Sequence, residues 1–277
     1  GLAVAVPGEL KAYWLAHQKY GRLNWSDLVE PSVKISRDGF TVGKHLGDSL
    51  RSLKFTIITQ PTLREIFYNN ATGDVYKEGD IIKRPLLAET LQRISQNGAD
   101  ELYKGKTGQE LVKDIQELGG VITMEDLKNY RGHVKDAVSV PLRDGKTLYT
   151  VPPPGCGALV GLILNVLAGY NITQEDVADV TSGVLTYHRM VEAFKYAYAQ
   201  RTYMGDEKFV NVTKVLSEIT SVDYAEEIRQ GISDKQTFAP ENYGGIYEGV
   251  EDHGTAQVTV VDAEGNAVSA TSTINRL

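Results

Sequence analysis

The sequence has very little cysteine and no long apolar run. Cys156 is the single cysteine among 277 residues, which excludes an intrachain disulfide and a zinc site built on paired cysteines. The longest apolar stretch, residues 158–168, contains Asn165 and is about half as long as the roughly 18 residues that a membrane-spanning helix needs. With 42% hydrophobic and 23% charged residues, the composition is that of a globular protein with a buried core.

Positive charge is also in short supply. The 29 Lys and Arg residues are outnumbered by 36 Asp and Glu residues, which gives a formal net charge of -7. An acidic chain without a dense basic cluster gains little from releasing counterions at phosphates, so we do not expect nucleic acid as a partner.

Four glycosylation sequons of the type Asn-X-Ser/Thr bear on the location of the protein. They begin at Asn24, Asn70, Asn171 and Asn211. Four sequons in a chain of this length favour a glycosylated protein that is secreted or held at the cell surface. Residue 1 is glycine, so we expect a piece of a longer precursor whose signal or anchor would lie upstream of that residue.

Helical periodicity dominates the first two-thirds of the chain. The sequence Pro7-Gly8-Glu9 predicts a helix that ends at Gly21, and Pro31 is expected to interrupt or restart the next one. Similar signals predict helices at residues 43–54, 87–97, 111–118, 157–168, 184–203 and near 215–230. Alternation before and after a turn at residues 143–146 predicts a β-hairpin. Because no linker or repeat is visible, we expect one structural domain.

A second hairpin is predicted at the end of the chain. Polar residues occupy odd positions and apolar residues occupy even positions on both sides of residues 263–265, whose Gly265 suits a left-handed turn position. Asp262 would then face Asn266, and Thr255 would face Thr273. On the pattern alone, a threonine-rich face turned toward water is the simpler interpretation.

The residue before Thr255 indicates a chemical role for the polar face. Gly254 is small and flexible, so the Thr255 hydroxyl could reach its own upstream carbonyl and cleave the chain by an N-to-O acyl shift. The freed α-amine, with a pKa of about 8, could then act as general base for the hydroxyl on the same residue. Thr273 could orient that hydroxyl, and Asn275 offers an amide to a polar substrate group.

Two segments of this hairpin resemble a known processing site. Residues 253–262 and 269–275 are similar to the site at which the gamma-glutamyltransferases, or glutathione hydrolases, cleave themselves. Residues 4–9 resemble the Val-X-Val-Pro-Gly stretch of that family, and residues 187–199 resemble its long helix. The resemblance covers essentially the whole chain.

The resemblance implies a role for each of these residues. Thr255 matches the catalytic threonine, which becomes the amino terminus of the small subunit when the bond after Gly254 is cleaved. Thr273 matches a threonine that supports it, and Asn275 matches the asparagine that contacts the α-amino end of the substrate. The implied fold is α+β, a partial four-layer αββα sandwich of the N-terminal nucleophile hydrolases. Residues 1–254 would be the end of the large-subunit region, and residues 255–277 the start of the small-subunit region.

The resemblance also implies a reaction and its partners. The threonine would attack the gamma-glutamyl amide of glutathione and form an ester. The gamma-glutamyl group would then pass to water, an amino acid or a dipeptide. No metal or organic cofactor is implied, and the two processed chains would form a large/small subunit heterodimer.

The chain departs from the family pattern in two ways. Gln257 stands where many members have histidine. The family's carboxylate-binding arginine would lie before Gly1, and its acidic, Ser-Ser and Gly-Gly motifs would lie beyond Leu277. Because an oxyanion donor alone is worth ~10²–10³ in rate, we expect the 277-residue chain by itself to be inactive and uncleaved.

Alternative interpretations remain open at the level of sequence. Cys156 could be a nucleophile with His188 as its base, and His253 could assist proton transfer during processing. Arg189 and Glu192 are spaced to pair across one helical turn. The protein could also be a non-catalytic homologue that binds gamma-glutamyl compounds or a partner subunit.

Overall fold

The computed structural model describes residues 1–246 and 255–274. Its helices and strands confirm the predicted α+β class. Contacts group the chain into two compact units, Gly1–His133 and Val134–Leu277, whereas the sequence, without a visible linker, predicted one domain. The division after residue 254 into large- and small-subunit regions stays a prediction.

The first unit is mainly helical. Its helices are α1 (Glu9–Tyr20), α2 (Trp25–Asp38), α3 (Lys44–Ser52), α4 (Lys54–Thr59), α5 (Pro61–Phe67), α6 (Pro85–Asn97), α7 (Asp100–Tyr103), α8 (Lys106–Glu117) and α9 (Met124–Asn129). Its strands are β1 (Phe40–Thr41), β2 (Tyr68–Asn69), β3 (Asp74–Val75) and β4 (Ile81–Ile82). Strand β1 pairs with β4, and β2 pairs with β3, both antiparallel.

The prediction that Pro31 interrupts a helix is wrong. Helix α2 continues through Pro31 to Asp38, although a proline in a helix interior removes one backbone hydrogen bond. Packing offsets that loss, because α2 lies along α6 and buries Val33. The indole of Trp25 also donates a 3.0 Å hydrogen bond to the carbonyl oxygen of Ile94 on α6.

The second unit combines helices with two hairpins. Its strands are β5 (Val138–Pro141), β6 (Thr147–Thr150), β7 (Ala256–Val261) and β8 (Ala267–Ser272). Its helices are α10 (Gly157–Ala168), α11 (Val180–Arg201), α12 (Thr213–Ile219) and α13 (Val222–Gly231). The stretch near 215–230 is therefore two helices, and the second begins where the Ser221 hydroxyl accepts a hydrogen bond from the amide of Tyr224.

Helix α10 forms the centre of the core of the second unit. Its bounds are those predicted from the sequence, and Leu162 and Val166 are fully buried on it. The buried side chain of Asn165 ties the helix to the β5–β6 hairpin, because it accepts from the Arg143 amide at 3.1 Å and donates to the Pro141 carbonyl at 2.9 Å. This helix contacts α11, α12 and α13, so it organises the unit.

The terminal hairpin has the predicted register. Ala256 pairs with Ser272 at one end of the ladder, and Val261 pairs with Ala267 at the other. Gly265 has a φ of 85°, the left-handed conformation expected in the turn. All six residues of β7 are exposed. None of the helices in the described ranges combines the length and apolar character that crossing a bilayer requires.

Candidate active site

Thr255 and Thr273 occupy corresponding places at the open end of the terminal hairpin. Thr255 directly precedes β7, and Thr273 directly follows β8. Ala256 pairs with Ser272 at this end of the ladder, so each threonine lies one residue beyond the last paired position. Both residues are exposed. The roles of Thr255 as nucleophile and of Thr273 as the orienting hydroxyl stay predictions.

Hydrogen bonds between side chains join the two strands on the polar face. The Gln257 side-chain amide donates to the Ser269 hydroxyl at 2.8 Å, and the hydroxyls of Thr259 and Ser269 lie 2.8 Å apart. Because Ser269 pairs with Thr259 in the ladder, Gln257 makes a diagonal contact across the strands. It therefore helps to hold the register that presents Thr255.

The turn of the hairpin is fixed by one carboxylate. Asp262 accepts hydrogen bonds from the amide of Glu264 at 2.9 Å, and from the amide and the side-chain nitrogen of Asn266, each at 2.8 Å. These bonds, that of the Asn266 side chain first, hold the pKa of Asp262 below its usual range. Because the turn sets the register, Asp262 contributes to the placement of Thr255 at the other end.

The sequence did not predict the burial or the actual partners of one carboxylate in the second unit. Glu192 on α11 is 1% exposed and accepts hydrogen bonds from Lys195 Nζ at 2.7 Å, Thr237 Oγ1 at 2.8 Å and the Tyr243 hydroxyl at 2.7 Å. Burial raises its pKa, but the hydrogen bonds and the Lys195 charge outweigh burial, so the net pKa lies below the usual value. The carboxylate is therefore ionised at neutral pH.

The predicted pair of Arg189 and Glu192 is replaced by other partners. The Arg189 guanidinium binds both carboxylate oxygens of Asp234, at 2.8 and 2.6 Å, and Glu192 pairs with Lys195 on its own helix. The spacing of Glu192 and Lys195 is a local signal that could have indicated their pair. No local pattern could have shown the partner of Arg189, because Asp234 lies 45 positions from it in the sequence.

The alternative pair of Cys156 and His188 is not supported by their surroundings. His188 Nε2 lies 2.7 Å from the carbonyl oxygen of Ser233, and Cys156 packs against the apolar core around α10. Each residue thus has a structural role in the part of the chain that the structure describes. In the same described ranges, no three His, Cys, Asp or Glu side chains are grouped to hold a metal ion.

Comparisons with known proteins identify the family of the chain. The sequence model of the Gamma-glutamyltranspeptidase family matches residues 1–277. The chain belongs to this family. Scoloptoxin SSD14 of Scolopendra dehaani is 45% identical over 99% of this chain and 48% of that protein. The "Glutathione hydrolase 5 proenzyme" of Rattus norvegicus is 37% identical over 98% of this chain and 47% of that protein.

A solved structure of the same family confirms the fold. The crystal structure of Helicobacter pylori gamma-glutamyltranspeptidase superposes with a TM-score of 0.78 at 27% identity, and covers 90% of this chain and 71% of that chain. The predicted membership of the N-terminal nucleophile hydrolases is thereby confirmed. The chain spans about half the length of the curated relatives that it matches.

Several predicted residues of this family member lie outside the described ranges. These are Gly254 of the expected cleavage site, Asn275 of the expected substrate site, and His253, which could assist proton transfer. Their roles stay predictions.

The four sequon asparagines are exposed in the structure. The side-chain amide of Asn24 donates to Asp27 at 3.0 Å, and the Asn211 side chain accepts from the Thr213 amide at 3.1 Å. Asn70 lies in the turn between β2 and β3, and Asn171 follows α10. Exposure is what glycosylation requires, and glycosylation of these residues stays a prediction.

Proposed function

We propose that the protein is a gamma-glutamyl hydrolase and transferase whose nucleophile is Thr255, freed by cleavage of the Gly254–Thr255 bond. The observation that supports this proposal is the β7–β8 register, which ends at the Ala256–Ser272 pair and leaves Thr255 and Thr273 one residue beyond it, in a member of this family. Thr255 directly follows Gly254 in the sequence. The word "proenzyme" in the name of the rat relative supports a processed precursor.

Processing begins with attack by the Thr255 hydroxyl oxygen on the carbonyl carbon of Gly254. The new C–O bond forms as the peptide C–N bond breaks, and the hydroxyl proton passes to the departing nitrogen. Water then hydrolyses the ester, which leaves a carboxylate on Gly254 and restores the hydroxyl of Thr255. Thr255 now has a free amine beside its hydroxyl, which no internal threonine has.

Turnover uses that amine as a general base. With a pKa of about 8, it accepts the hydroxyl proton as the oxygen attacks the gamma-glutamyl amide carbonyl of glutathione. The proton then passes to the departing amine, and a gamma-glutamyl ester remains on Thr255. Water, an amino acid or a dipeptide attacks this ester and releases the product. No metal or organic cofactor takes part in these steps.

Two further residues complete the proposed site. Thr273 orients the Thr255 hydroxyl across the open end of the hairpin, which the register supports. Asn275 binds the α-amino end of the gamma-glutamyl group through its side-chain amide. The two processed chains stay associated as a heterodimer, and the four exposed sequons support a glycosylated protein outside the cell.

Replacement of the nucleophile in the full-length protein tests the proposal. Thr255→Ala is expected to remain uncleaved and to lose p-nitroaniline release from gamma-glutamyl-p-nitroanilide by on the order of 10³-fold or more, because both steps need its oxygen. Thr255→Ser should retain both steps. Thr259→Ala, on the same polar face, is the matched control and should stay within about twofold of wild type.

The outcomes separate the candidate functions. Full turnover by Thr255→Ala would overturn the proposal. A wild-type protein that stays intact, lacks turnover and still binds glutathione would support the non-catalytic homologue instead.

A further inference from the structure

The loop between α11 and α12 carries the most exposed aromatic side chain of the described residues. Phe209 is 86% exposed. A single exposed apolar residue is common on protein surfaces and needs no explanation by itself. What sets Phe209 apart is its position in the sequence, two residues before Asn211, which is the asparagine of a sequon.

Hydrogen bonds fix the part of the loop that carries Phe209. The carbonyl oxygen of Asp206 accepts from the amides of Phe209 and Val210, both at 2.9 Å. The carboxylate of Asp206 accepts from the amide of Lys208 at 3.0 Å. Val212 then enters the core of the second unit, where it is 6% exposed. Phe209 therefore lies between two anchored positions, and its exposed ring belongs to a fixed turn.

The side chain of Asn211 is held in a way that is compatible with a glycan. Its Oδ1 accepts from the amide of Thr213 at 3.1 Å. An N-linked glycan is attached to the other end of the same amide group, Nδ2, so attachment leaves the bond of Oδ1 in place. Phe209, Asn211 and Thr213 line one groove of about 660 Å³, whose other walls include residues of α12 and β5. A glycan on Asn211 therefore begins in the groove that contains Phe209.

Sugar and aromatic rings are complementary in shape and charge. The face of an aromatic ring carries partial negative charge, and the C–H groups on one face of a pyranose ring carry partial positive charge. Stacking of the two rings also removes apolar surface from water. We propose that the groove beside Phe209 is the binding site of the Asn211 glycan, whose first N-acetylglucosamine ring stacks on Phe209. This inference rests on the glycosylation that the proposed function includes.

The other three sequons lack this arrangement. Two of them have no aromatic residue two positions before the asparagine. Asn70 has Tyr68 at that position, but the Tyr68 ring is half-buried, and the guanidinium of Arg64 lies over it at 4.2 Å from the ring centroid. One face of Tyr68 is therefore already occupied. We expect a stacked glycan at Asn211 and glycans that extend into water at the other three sequons.

A stacked glycan has an energetic signature that an exposed side chain alone lacks. Because Phe209 is exposed, its replacement should change the stability of an unglycosylated protein very little. In the glycosylated protein, the same replacement also removes the stacking contact. A double-mutant cycle between Phe209 and the glycan measures this coupling. A purely structural role of Phe209 would give the same loss of stability with and without the glycan.

The test uses the full-length protein secreted from cultured eukaryotic cells, and mass spectrometry of glycopeptides gives the occupancy of each sequon. With the Asn211 glycan present, Phe209→Ala should lower Tm by about 1–4 °C. In the Asn211→Gln background, which lacks the glycan, Phe209→Ala should leave Tm unchanged within the error of measurement. Thr213→Ala removes the same sequon but keeps Asn211, and provides a second background. Phe209→Trp, which retains an aromatic face, should keep the wild-type Tm.

Enzymatic removal of the glycan from the native protein is the second measurement. Stacking shields the bond between the sugar and Asn211 from peptide N-glycosidase F. Phe209→Ala should therefore speed release at Asn211 by about twofold to tenfold, the range for loss of one aromatic contact. Release at the other occupied sequons should be unchanged.

Phe55→Ala is the matched control variant. Phe55 is 81% exposed in the first unit and lies outside every sequon. Its replacement removes a similar exposed ring, so general effects of losing such a ring would appear in this variant too. We expect the wild-type Tm and the wild-type rate of glycan release at Asn211.

Each outcome supports or overturns the inference. A loss of Tm in Phe209→Ala that requires the Asn211 glycan, together with faster release, supports it. A wild-type Tm or release rate in glycosylated Phe209→Ala, an equal loss of Tm in the unglycosylated backgrounds, or an equal effect of Phe55→Ala would overturn it and leave the proposed function intact. A secreted wild-type protein without a glycan at Asn211 would overturn the predicted glycosylation of that residue and this inference together, and leave the proposed role of Thr255 untouched.

Discussion

The core around α10 and the terminal hairpin are held together by different forces. Leu162 in the core is 1% exposed, whereas Val258 in the middle of β7 is 61% exposed. The core is stabilised by apolar burial, and the hairpin by its backbone ladder, its turn and a few polar contacts between side chains. The residues proposed for catalysis thus lie at the end of a hairpin whose placement is set by strand register. The residues of the scaffold lie in a core whose stability comes from apolar burial.

The largest expected contrast is in the cost of shortening an apolar side chain. Leu162→Ala should lower the free energy of unfolding by about 2–5 kcal/mol, because it leaves a cavity in the core. Val258→Ala should change it by less than about 0.5 kcal/mol. Urea unfolding of the 277-residue chain, followed by circular dichroism, measures both. Similar losses in the two variants would contradict the contrast.

A second contrast compares two polar anchors. Asn165→Ala should cost about 1–3 kcal/mol, because the Arg143 amide and the Pro141 carbonyl lose their buried partner. Gln257→Ala removes only an exposed contact with Ser269 and should cost less than about 0.5 kcal/mol. The same unfolding experiment distinguishes them, and a larger loss for Gln257→Ala would show that the hairpin carries more of the stability than its exposure indicates.

A third prediction concerns acid. The pKa of Glu192 is lower in the folded protein than in the unfolded chain, so its stabilising contribution is complete above the unfolded value of about 4.3. That contribution is lost as the pH falls through the folded pKa. The free energy of unfolding should therefore decline below about pH 4, and Glu192→Gln should show a shallower decline.

Glu101 extends this prediction to the first unit. Burial opposes its ionisation, but hydrogen bonds from the amide and hydroxyl of Thr107 and from Asn97 lower its pKa overall. Glu101→Gln should flatten the acid dependence in the same way. Wild-type pH profiles in both variants would contradict the assignment of these carboxylates.

The smallest expected effect is confined to the hairpin. Asp262→Ala removes the acceptor of three hydrogen bonds in the turn. Hydrogen exchange of the backbone amides of β7 and β8 should then be faster. The amides of α10, which lies in the core, are the internal control, and their exchange rates should be unchanged. Faster exchange in α10 as well would show that the two regions are coupled.

The hairpin and α10 could be predicted from sequence because their signals are local. Strict alternation and Gly265 gave the register that pairs Ala256 with Ser272, and an apolar run with flanking breaks gave residues 157–168. The resemblance to a family then supplied roles that no periodicity contains.

The Glu192 cluster and the path of α2 could not be predicted in this way. Thr237 and Tyr243 lie 45 and 51 positions from Glu192, so only the folded chain brings them together. The proline in α2 is tolerated because of packing against α6, and local propensity cannot report such packing.

The most direct test of the central claim is the intact mass of the full-length protein after expression. Cleavage between Gly254 and Thr255 predicts two fragments, the second beginning at Thr255, whose masses together exceed that of the precursor by one water. The Thr255→Ala variant should give a single uncleaved chain. A wild-type protein that turns over gamma-glutamyl substrate as one intact chain, or that is cut at a different bond, would contradict the account.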